Sequence, residues 1–340
     1  MTNRTLNVNA PFVVGTIEHE GRRRPVAVAG DRWHDLSTMI PDTVTTVDLF
    51  DDWEANLDRI EATLTNSETT ATTPSGSING VEVLPPVQPI GPVLAAGANY
   101  REHILQMSVA HRLGREDANE EELWAEAAQA NDERRAHGDP YVWTGIPSAV
   151  SGAYDDVQLP EVGDNIDWEL ELGVVIGRRG HHVAAGDAND YIAGYTIVND
   201  ISARSLIPRP DIANLGTDWF RGKNQPTFFP TGPWLVPARY VADPADLRIT
   251  LKLNGQVMQD ARTDDLMFDV PSLVAYVSSY AIIQPGDLLI TGSPAGNGSH
   301  WNRFLQDGDV MECEITGLGV QRTEVRGRRG VLPPWQRSRR

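Results

Sequence analysis

The feature that most constrains this chain is a stretch in which acidic and apolar residues alternate before an apolar run begins. From residue 167 to residue 177 it reads D-W-E-L-E-L-G-V-V-I-G. Strict alternation predicts a β-strand, because side chains two residues apart on a strand project from the same face. The stretch therefore predicts a strand with one apolar face and one acidic face, the latter formed by Asp167, Glu169 and Glu171.

A second strand is predicted a short distance downstream. Residues Tyr195 to Val198 have the composition of a buried strand, which ends at Asn199-Asp200. If the two strands lie side by side, Asp200 joins Glu169 and Glu171. Three close carboxylates repel one another, so at least one would hold a proton near neutral pH unless a cation were bound.

Two interpretations of these acids follow from the residues alone. Carboxylate oxygens suit hard dications such as Mg²⁺, Mn²⁺ or Ca²⁺ better than metals that prefer thiolates. The alternative is that the acids form the solvent-exposed face of an antiparallel strand, which is a common arrangement.

Four separated blocks of sequence resemble the fumarylacetoacetate hydrolase family, in the family's order. They are G-A-N-Y-R-E-H from residue 97, the alternating stretch, A-G-Y-T-I-V-N-D-I-S-A-R from residue 193, and Q-P-G-D-L-L-I-T-G-S-P-A-G from residue 284. The match runs from about Pro89 to Gly319 and is closest to members that hydrolyse acylpyruvates and other 2,4-dioxo acids. The resemblance implies a mainly β (α+β) fold, with a mixed β-roll or barrel as the catalytic domain, and a homodimer.

The resemblance also assigns roles to individual residues. Position by position, Glu169, Glu171 and Asp200 take the places of the family's ligands for a divalent metal, usually Mg²⁺, while Mn²⁺ and Ca²⁺ remain open. Asp167 occupies a supporting position beside them. Three carboxylates and a dication carry a formal charge of −1, so an anionic substrate needs a further cation, and Lys223 stands where the family places a lysine. We interpret Arg204 as stabilising its local loop.

His103 is the candidate general base, since a histidine near its ordinary pKa can take a proton from water at neutral pH. With Lys223 it makes up the predicted catalytic pair, while Tyr100, Lys223 and Thr291 are expected to contact the substrate. Two positions depart from the family's pattern: Gln106 stands where several members place a glutamate that orients the histidine, and Ile207 stands where many carry glutamine.

Taken with these residues, the resemblance implies hydrolysis of a carbon–carbon bond in a 2,4-dioxo acid, with the departing carbanion stabilised by the metal as an enolate. A decarboxylase, a tautomerase or isomerase, and a dehydratase remain alternatives, because each needs only a metal-stabilised enolate. A catalytically inactive binding protein is a further alternative.

Net charge argues against some functions, and cysteine content indicates the expected cellular compartment. The net charge of −18 argues against binding to nucleic acid or to an anionic membrane. The single cysteine permits no intrachain disulfide, which fits a reducing compartment, and we expect a cytoplasmic protein. The first residues lack the pattern of a signal peptide, and no apolar run is long enough for a membrane helix.

Composition predicts the domain organisation. A small β-rich domain is expected over residues 1–85, with a polar linker within it at 63–80, followed by a catalytic domain over residues 86–330 and a basic tail over 331–340. A helical insertion is expected at about 106–140; it is interpreted either as a surface element or as a lid over the site, with Trp124 as its apolar anchor. His181 and His182 lie in a predicted turn, where solvation is favoured over metal binding.

Overall fold

The computed structural model describes residues 6–110, 115 and 117–327. The predicted basic tail, the first five residues and part of the predicted insertion therefore lie outside the described residues. Within them, no helix combines the length and the apolar character that crossing a membrane requires.

Strands make up most of the regular structure. In chain order they are β1 Val13–His19, β2 Arg22–Ala29, β3 Arg32–Asp35, β4 Ser75–Ser77, β5 Glu82–Leu84, β6 Val93–Gly97, β7 Tyr141–Gly145, β8 Val150–Gly152, β9 Val157–Gln158, β10 Ile166–Asp167, β11 Leu170–Ile176, β12 Ile192–Asn199, β13 Ser202–Ala203, β14 Phe229–Thr231, β15 Val236–Pro237, β16 Arg248–Leu253, β17 Gln256–Arg262, β18 Leu288–Ile290, β19 Val310–Ile315 and β20 Gly319–Arg326.

Helices are fewer and mostly short. The α-helices are α1 Trp53–Thr65, α2 Ser67–Thr72, α3 Arg101–Ala110, α4 Glu120–His137, α5 Trp219–Lys223, α6 Val270–Tyr280 and α7 Gly298–Trp301. Turns of 3₁₀ helix lie at Leu36–Thr38, Val47–Asp52, Pro147–Ala149, Ala185–Tyr191, Arg204–Leu206, Pro210–Ile212, Ala238–Tyr240 and Thr263–Asp265. The mainly β, α+β class predicted from the sequence is confirmed.

The first five strands form one sheet in the order β4-β3-β2-β1-β5. The β1–β2 hairpin turns at Glu20-Gly21, where both residues have positive φ, as tight hairpin turns require. The prediction of a polar linker or loop over residues 63–80 is wrong, because α2 and β4 lie within it and β4 completes this sheet. Its polar side chains instead bond locally: Asn66 caps α2 by accepting from two backbone amides.

The central sheet positions the site. Its order is β7-β6-β18-β11-β12-β14-β8, with β15 also paired to β12, and it mixes parallel and antiparallel neighbours. Every residue of β11 and β12 is buried, since one hydrophobic core covers each face of the sheet. A buried strand pair of this kind cannot present its acids to water. The interpretation of the acids as a solvated face is therefore wrong.

The remaining elements close around this sheet. Strands β17-β16-β19-β20-β9 form a further sheet. The N-terminal sheet packs against the central one through a shared core that includes Val14 and Val175, and the Trp53 indole of α1 donates to the carbonyl of Ala193 at 2.9 Å. Helix α4 confirms the predicted helical segment. Its apolar anchor is the fully buried Leu123 rather than Trp124, which is 37% exposed, because Leu123 lies on the face turned inward.

Candidate metal centre and active site

Three carboxylates meet where β11 begins and β12 ends. These strands are antiparallel with Leu170 opposite Asn199, so the residues just before β11 and just after β12 are neighbours. The backbone amide of Asp200 donates to the carbonyl of Glu169 at 2.8 Å. Carboxylate oxygens of Glu169, Glu171 and Asp200 all lie within 4.8 Å of one another, and all three residues are buried. The predicted convergence of these side chains is therefore present.

Two cations lie against this acidic triad, the buried Lys223 and the partly buried Arg204. Lys223, only 1% exposed, donates from Nζ to both Glu169 Oε2 and Asp200 Oδ2. Arg204 bridges two acids, with Nε 2.9 Å from Asp167 Oδ2 and Nη2 2.5 Å from Glu169 Oε1. Arg204 therefore belongs to the charged centre, which the sequence interpretation as a loop residue missed.

Asp167 fixes the position of Arg204. Its side chain is completely buried and accepts from the backbone amides of Trp168 and Gly298 and from the hydroxyl of Ser299. A carboxylate held from several directions cannot rotate away from the guanidinium, so Asp167 keeps Arg204 against Glu169. This placement agrees with the supporting position that the resemblance implied.

The charges of this cluster do not balance. Four buried carboxylates face two cations, Lys223 and Arg204, which leaves −2 when all are ionised. Burial alone would raise the pKa of Glu169, but Arg204 and Lys223 hold that pKa well below its ordinary value. Burial raises the pKa of Asp200 to about 7, with Lys223 opposing the rise. Burial, then the neighbouring Asp200 and Glu169, raise the pKa of Glu171. Glu171 and Asp200 are therefore the two carboxyl groups whose ionised forms are least stabilised by the protein itself.

The donor set fits a hard dication. An ion of charge +2 would cancel the excess, and carboxylate oxygens are the ligands that Mg²⁺, Mn²⁺ and Ca²⁺ prefer. Among the described residues, the buried Asp200 Oδ1 has no hydrogen-bond partner, so one ligand oxygen is not committed to the protein. Glu169, Glu171 and Asp200 are thus the residues that could hold the ion.

A glycine turn orients Glu171. The backbone amide of Gly292 donates to Glu171 Oε2 at 2.7 Å, and Gly292 has φ of 95°, which residues with a side chain rarely adopt. The side-chain amide of Asn99 donates to the backbone carbonyl of Thr291, the residue before Gly292, at 2.8 Å. The first and last of the four sequence blocks therefore support the same ligand.

His103 approaches the triad from α3. Its Nε2 lies 4.0 Å from Glu169 Oε1, and its side chain is 12% exposed. Burial lowers the pKa of His103 to about 4, against the opposing pull of Glu169, so the imidazole is neutral at pH 7. A neutral imidazole can accept a proton.

The positions that depart from the family's pattern lie away from the imidazole. Gln106 accepts from the amide of Gly296 at 3.3 Å and donates to Glu102 at 3.5 Å, so it does not orient His103. Within the described part of the chain, His103 Nδ1 has no hydrogen-bond partner. Ile207 is 8% exposed and packs against Gly222 rather than lining the site.

A cavity of about 240 Å³ opens onto these groups. The triad, His103, Arg204 and Lys223 line one part, and apolar side chains line the rest: Ile104, Met107, Trp143 and Trp219. Tyr100 and Thr291, predicted to contact substrate, are fully buried and do not belong to this lining. Their predicted contact stays a prediction.

Sequence reasoning missed the two tryptophans. A signal existed for Trp219, which precedes Lys223 by four residues and therefore shares its helical face. Trp143 carried no such signal, because it comes from the distant strand β7.

Comparisons with known proteins agree with one another. The family model described as "Fumarylacetoacetate (FAA) hydrolase C-terminal" matches residues 92–326. The human protein named oxaloacetate tautomerase FAHD2B, mitochondrial, is 41% identical over 184 residues, which is 54% of this chain and 57% of that protein. The chain thus spans a little over half the length of this relative.

Two further relatives are covered more fully. A Sphingomonas protein named 2,4-didehydro-3-deoxy-L-rhamnonate hydrolase is 37% identical over 243 residues, covering 71% of this chain and 75% of that protein. The crystal structure of maleylpyruvate hydrolase from Sphingobium, in complex with manganese(II) and pyruvate, superposes with a TM-score of 0.71 at 26% identity. It covers 93% of this chain and 100% of that one.

Proposed function

Because this chain belongs to the fumarylacetoacetate hydrolase family, we propose that it is a divalent-metal-dependent enzyme that hydrolyses a carbon–carbon bond of a 2,4-dioxo acid. The observation that carries the proposal is the buried acidic triad, which lies beside a neutral histidine, opens to one cavity and belongs to a cluster with a formal charge of −2.

Glu169, Glu171 and Asp200 would hold the ion, and we propose Mg²⁺ as the native one. When bound, such an ion supplies Lewis-acid stabilisation of negative charge that develops on the oxygens of a 2-oxo acid. The complex of the Sphingobium hydrolase with manganese(II) and pyruvate supports both the metal and the 2-oxo acid class. Mn²⁺ suits the same oxygen donors.

His103 would act as the base. Its imidazole takes a proton from water, whose oxygen attacks the C4 carbonyl of the 2,4-dioxo acid. The C3–C4 bond then breaks, its electron pair passes to the pyruvate fragment, and the imidazolium returns the proton to C3. The products are pyruvate and a second carboxylic acid. Lys223 remains protonated, because Asp200 and Glu169 outweigh burial and raise its pKa, so it can donate to a substrate oxygen.

Keto–enol tautomerisation of a 2-oxo acid is the second candidate. The observation that favours it is His103 Nδ1, which has no hydrogen-bond partner among the described residues, so that no acid holds the imidazole from that side. Hydrolysis requires the base to hold a proton through several steps, whereas tautomerisation requires one transfer between carbon and oxygen. The human relative is named for this reaction.

A substrate panel with and without metal tests the proposal. Enzyme stripped with a chelator and then supplied with Mg²⁺ is expected to convert 2,4-dioxopentanoate to pyruvate and acetate, and stripped enzyme is not. Oxaloacetate monitored for enol decay and for CO₂ distinguishes the tautomerase and decarboxylase. Activity that survives complete metal removal would contradict the proposed site.

A base variant separates the two parts of the site. His103→Ala is expected to lower kcat by roughly 10²–10⁴, the usual contribution of a general base, while Mg²⁺ affinity changes little. His137→Ala, at the exposed end of α4, serves as the matched control. Unimpaired hydrolysis by His103→Ala would remove the base assignment and leave the metal site standing.

The assembly and location are proposals of a different kind. The homodimer rests on the family resemblance, and light scattering of the purified chain measures it directly. The cytoplasmic location rests on the cysteine content, while the human relative is named as mitochondrial.

A further inference from the structure

The cavity is divided into a charged part and an apolar part. All the basic side chains among its described lining residues are at the triad: His103, Arg204 and Lys223. Both Arg204 and Lys223 already donate to carboxylates of the protein. The charged part can therefore receive the carboxylate of a 2-oxo acid, but it offers little positive charge with which to pair a second carboxylate.

Two indole rings form the wall beside the charged part. Trp143 and Trp219 are stacked, with ring centroids 6.0 Å apart and planes 21° from parallel. The Lys223 ammonium lies 5.6 Å from the Trp143 centroid and 5.9 Å from that of Trp219. Because the same ammonium contacts Glu169 and Asp200, a ligand anchored at the triad has its remaining carbons against these rings.

Among the described lining residues, the rest of the apolar part offers no counter-charge. Met107 and Ile104 extend the wall from α3. The neutral hydroxyls nearby are already engaged: Ser108 donates to the carbonyl of Ile104 at 2.8 Å, and Ser293 donates to the carbonyl of Pro294 and accepts from Gln259. A charged group placed here would lose its hydration without gaining a partner, which is costly.

We propose that the Trp143–Trp219 stack is the recognition wall for the acyl side of the substrate, and that the enzyme selects 2,4-dioxo acids whose distal substituent is apolar and uncharged. This inference rests on the proposed function, because it assumes that the 2-oxo acid end is bound at the triad. The cavity of about 240 Å³ must also hold the 2-oxo acid end, but it exceeds the ~150 Å³ that suffices for benzene, so room remains for a short alkyl substituent.

The test compares two ligands that differ only at the distal end. 2-Oxoheptanoate ends in a methyl group and 2-oxoheptanedioate ends in a carboxylate, and neither carries the C4 carbonyl needed for cleavage. Isothermal titration calorimetry of the full chain in Mg²⁺ is expected to show at least about tenfold tighter binding of the monoacid. Equal binding, tighter binding of the diacid, or monoacid binding weaker than about 1 mM would overturn the inference.

Substitutions of Trp219 test whether the recognition wall causes the preference for the monoacid. Trp219→Ala is expected to reduce the ratio of the two affinities to within about threefold, and Trp219→Phe to retain most of it, because a phenyl ring preserves an apolar face. Trp124→Ala, outside the cavity on α4, is the matched control and should leave the ratio unchanged. A ratio that survives Trp219→Ala contradicts the role given to the stack.

A second variant keeps the inference testable if Trp219→Ala fails to fold. Met107→Arg places a cation on the apolar wall and is expected to tighten diacid binding at least about tenfold, since it supplies the missing partner charge. No gain for the diacid would count against the wall as the distal subsite.

Turnover separates this inference from the function on which it rests. The reactive pair is 2,4-dioxoheptanoate and 2,4-dioxoheptanedioate. Equal kcat/KM for both would leave the hydrolase proposal standing and refute the selection. Selective binding of the monoacid without turnover of either would leave the recognition wall standing and refute the hydrolase proposal.

Discussion

Replacing Glu171 by glutamine is expected to stabilise the metal-free protein at pH 8 while destroying its affinity for Mg²⁺. Glu171 accepts one hydrogen bond from a backbone amide and has no cation in direct contact among the described residues. Its carboxylate oxygens lie within 4.8 Å of those of Asp200. At that distance and an effective dielectric constant of roughly 20, one like-charge pair costs about 3 kcal/mol. Glutamine keeps the volume and an acceptor oxygen while removing this repulsion.

The difference in stability between metal-free Glu171→Gln and metal-free wild type depends on pH. Burial raises the pKa of Asp200 to about 7, from an ordinary value of 3.8, and raises that of Glu171 as well. A carboxyl group whose pKa is raised on folding contributes stability that is fully present below its ordinary pKa and is lost as pH rises through the folded value. Metal-free wild-type protein should therefore lose stability between about pH 4 and pH 8. Glu171→Gln should lose less, so the gap between them grows with pH.

Urea unfolding at pH 5 and pH 8, in chelator and in saturating Mg²⁺, measures this directly. In chelator the variant is expected to exceed wild type by about 3 kcal/mol at pH 8 and by little at pH 5. In Mg²⁺ the order reverses, because the ion stabilises only the protein that binds it. Glu82→Gln, at an exposed glutamate in β5, is the matched control. A metal-free variant less stable than wild type at pH 8 would refute the argument from excess charge.

Three further predictions concern neighbouring groups. Burial lowers the pKa of His103 to about 4, so kcat/KM is expected to be independent of pH between about pH 5.5 and 8. A rise in kcat/KM centred near pH 6.5 would contradict the assignment of a neutral base. Arg204→Met should lower the free energy of unfolding by about 3–5 kcal/mol, because it leaves Asp167 and Glu169 without their shared guanidinium. Urea unfolding measures this loss, and a loss below about 1 kcal/mol would argue against that pairing. Gly292→Ala should weaken Mg²⁺ binding measured by calorimetry, because its Cβ would come within 3.0 Å of Asn99 at a φ of 95°, and unchanged affinity would show that the turn does not position Glu171.

The triad was predictable because its geometry is local to two strands. The alternation around Glu169 and Glu171 fixes which side chains share a face, and antiparallel pairing brings the start of one strand to the end of the next, where Asp200 lies. What the pattern could not supply is the burial of both sheet faces. That depends on which other elements cover the sheet, and a strand's own residues do not specify them.

The surroundings of the triad depend on long-range packing. Trp143 and Trp219 meet across 76 residues of sequence, and nothing in either neighbourhood encodes the other. The size of Trp124 predicts it as the anchor of α4, but the orientation of the helix places the adjacent Leu123 inward instead. Size alone does not determine which side of a helix is buried, particularly when the helix has no strong apolar stripe.

The distribution of charge in the site connects the metal proposal with the choice of substrate. Arg204 and Lys223 are both committed to Glu169, and Lys223 also to Asp200, so two of the four negative charges are already compensated. A dication brings the cluster to neutrality. One substrate carboxylate then adds −1, which the ion and the donors of Lys223 and Arg204 can share. A second carboxylate would add −1 beside the indole rings, where the nearest cation of the described lining, Lys223, already donates to Glu169 and Asp200. The same balance that requires a metal therefore disfavours a substrate charged at both ends.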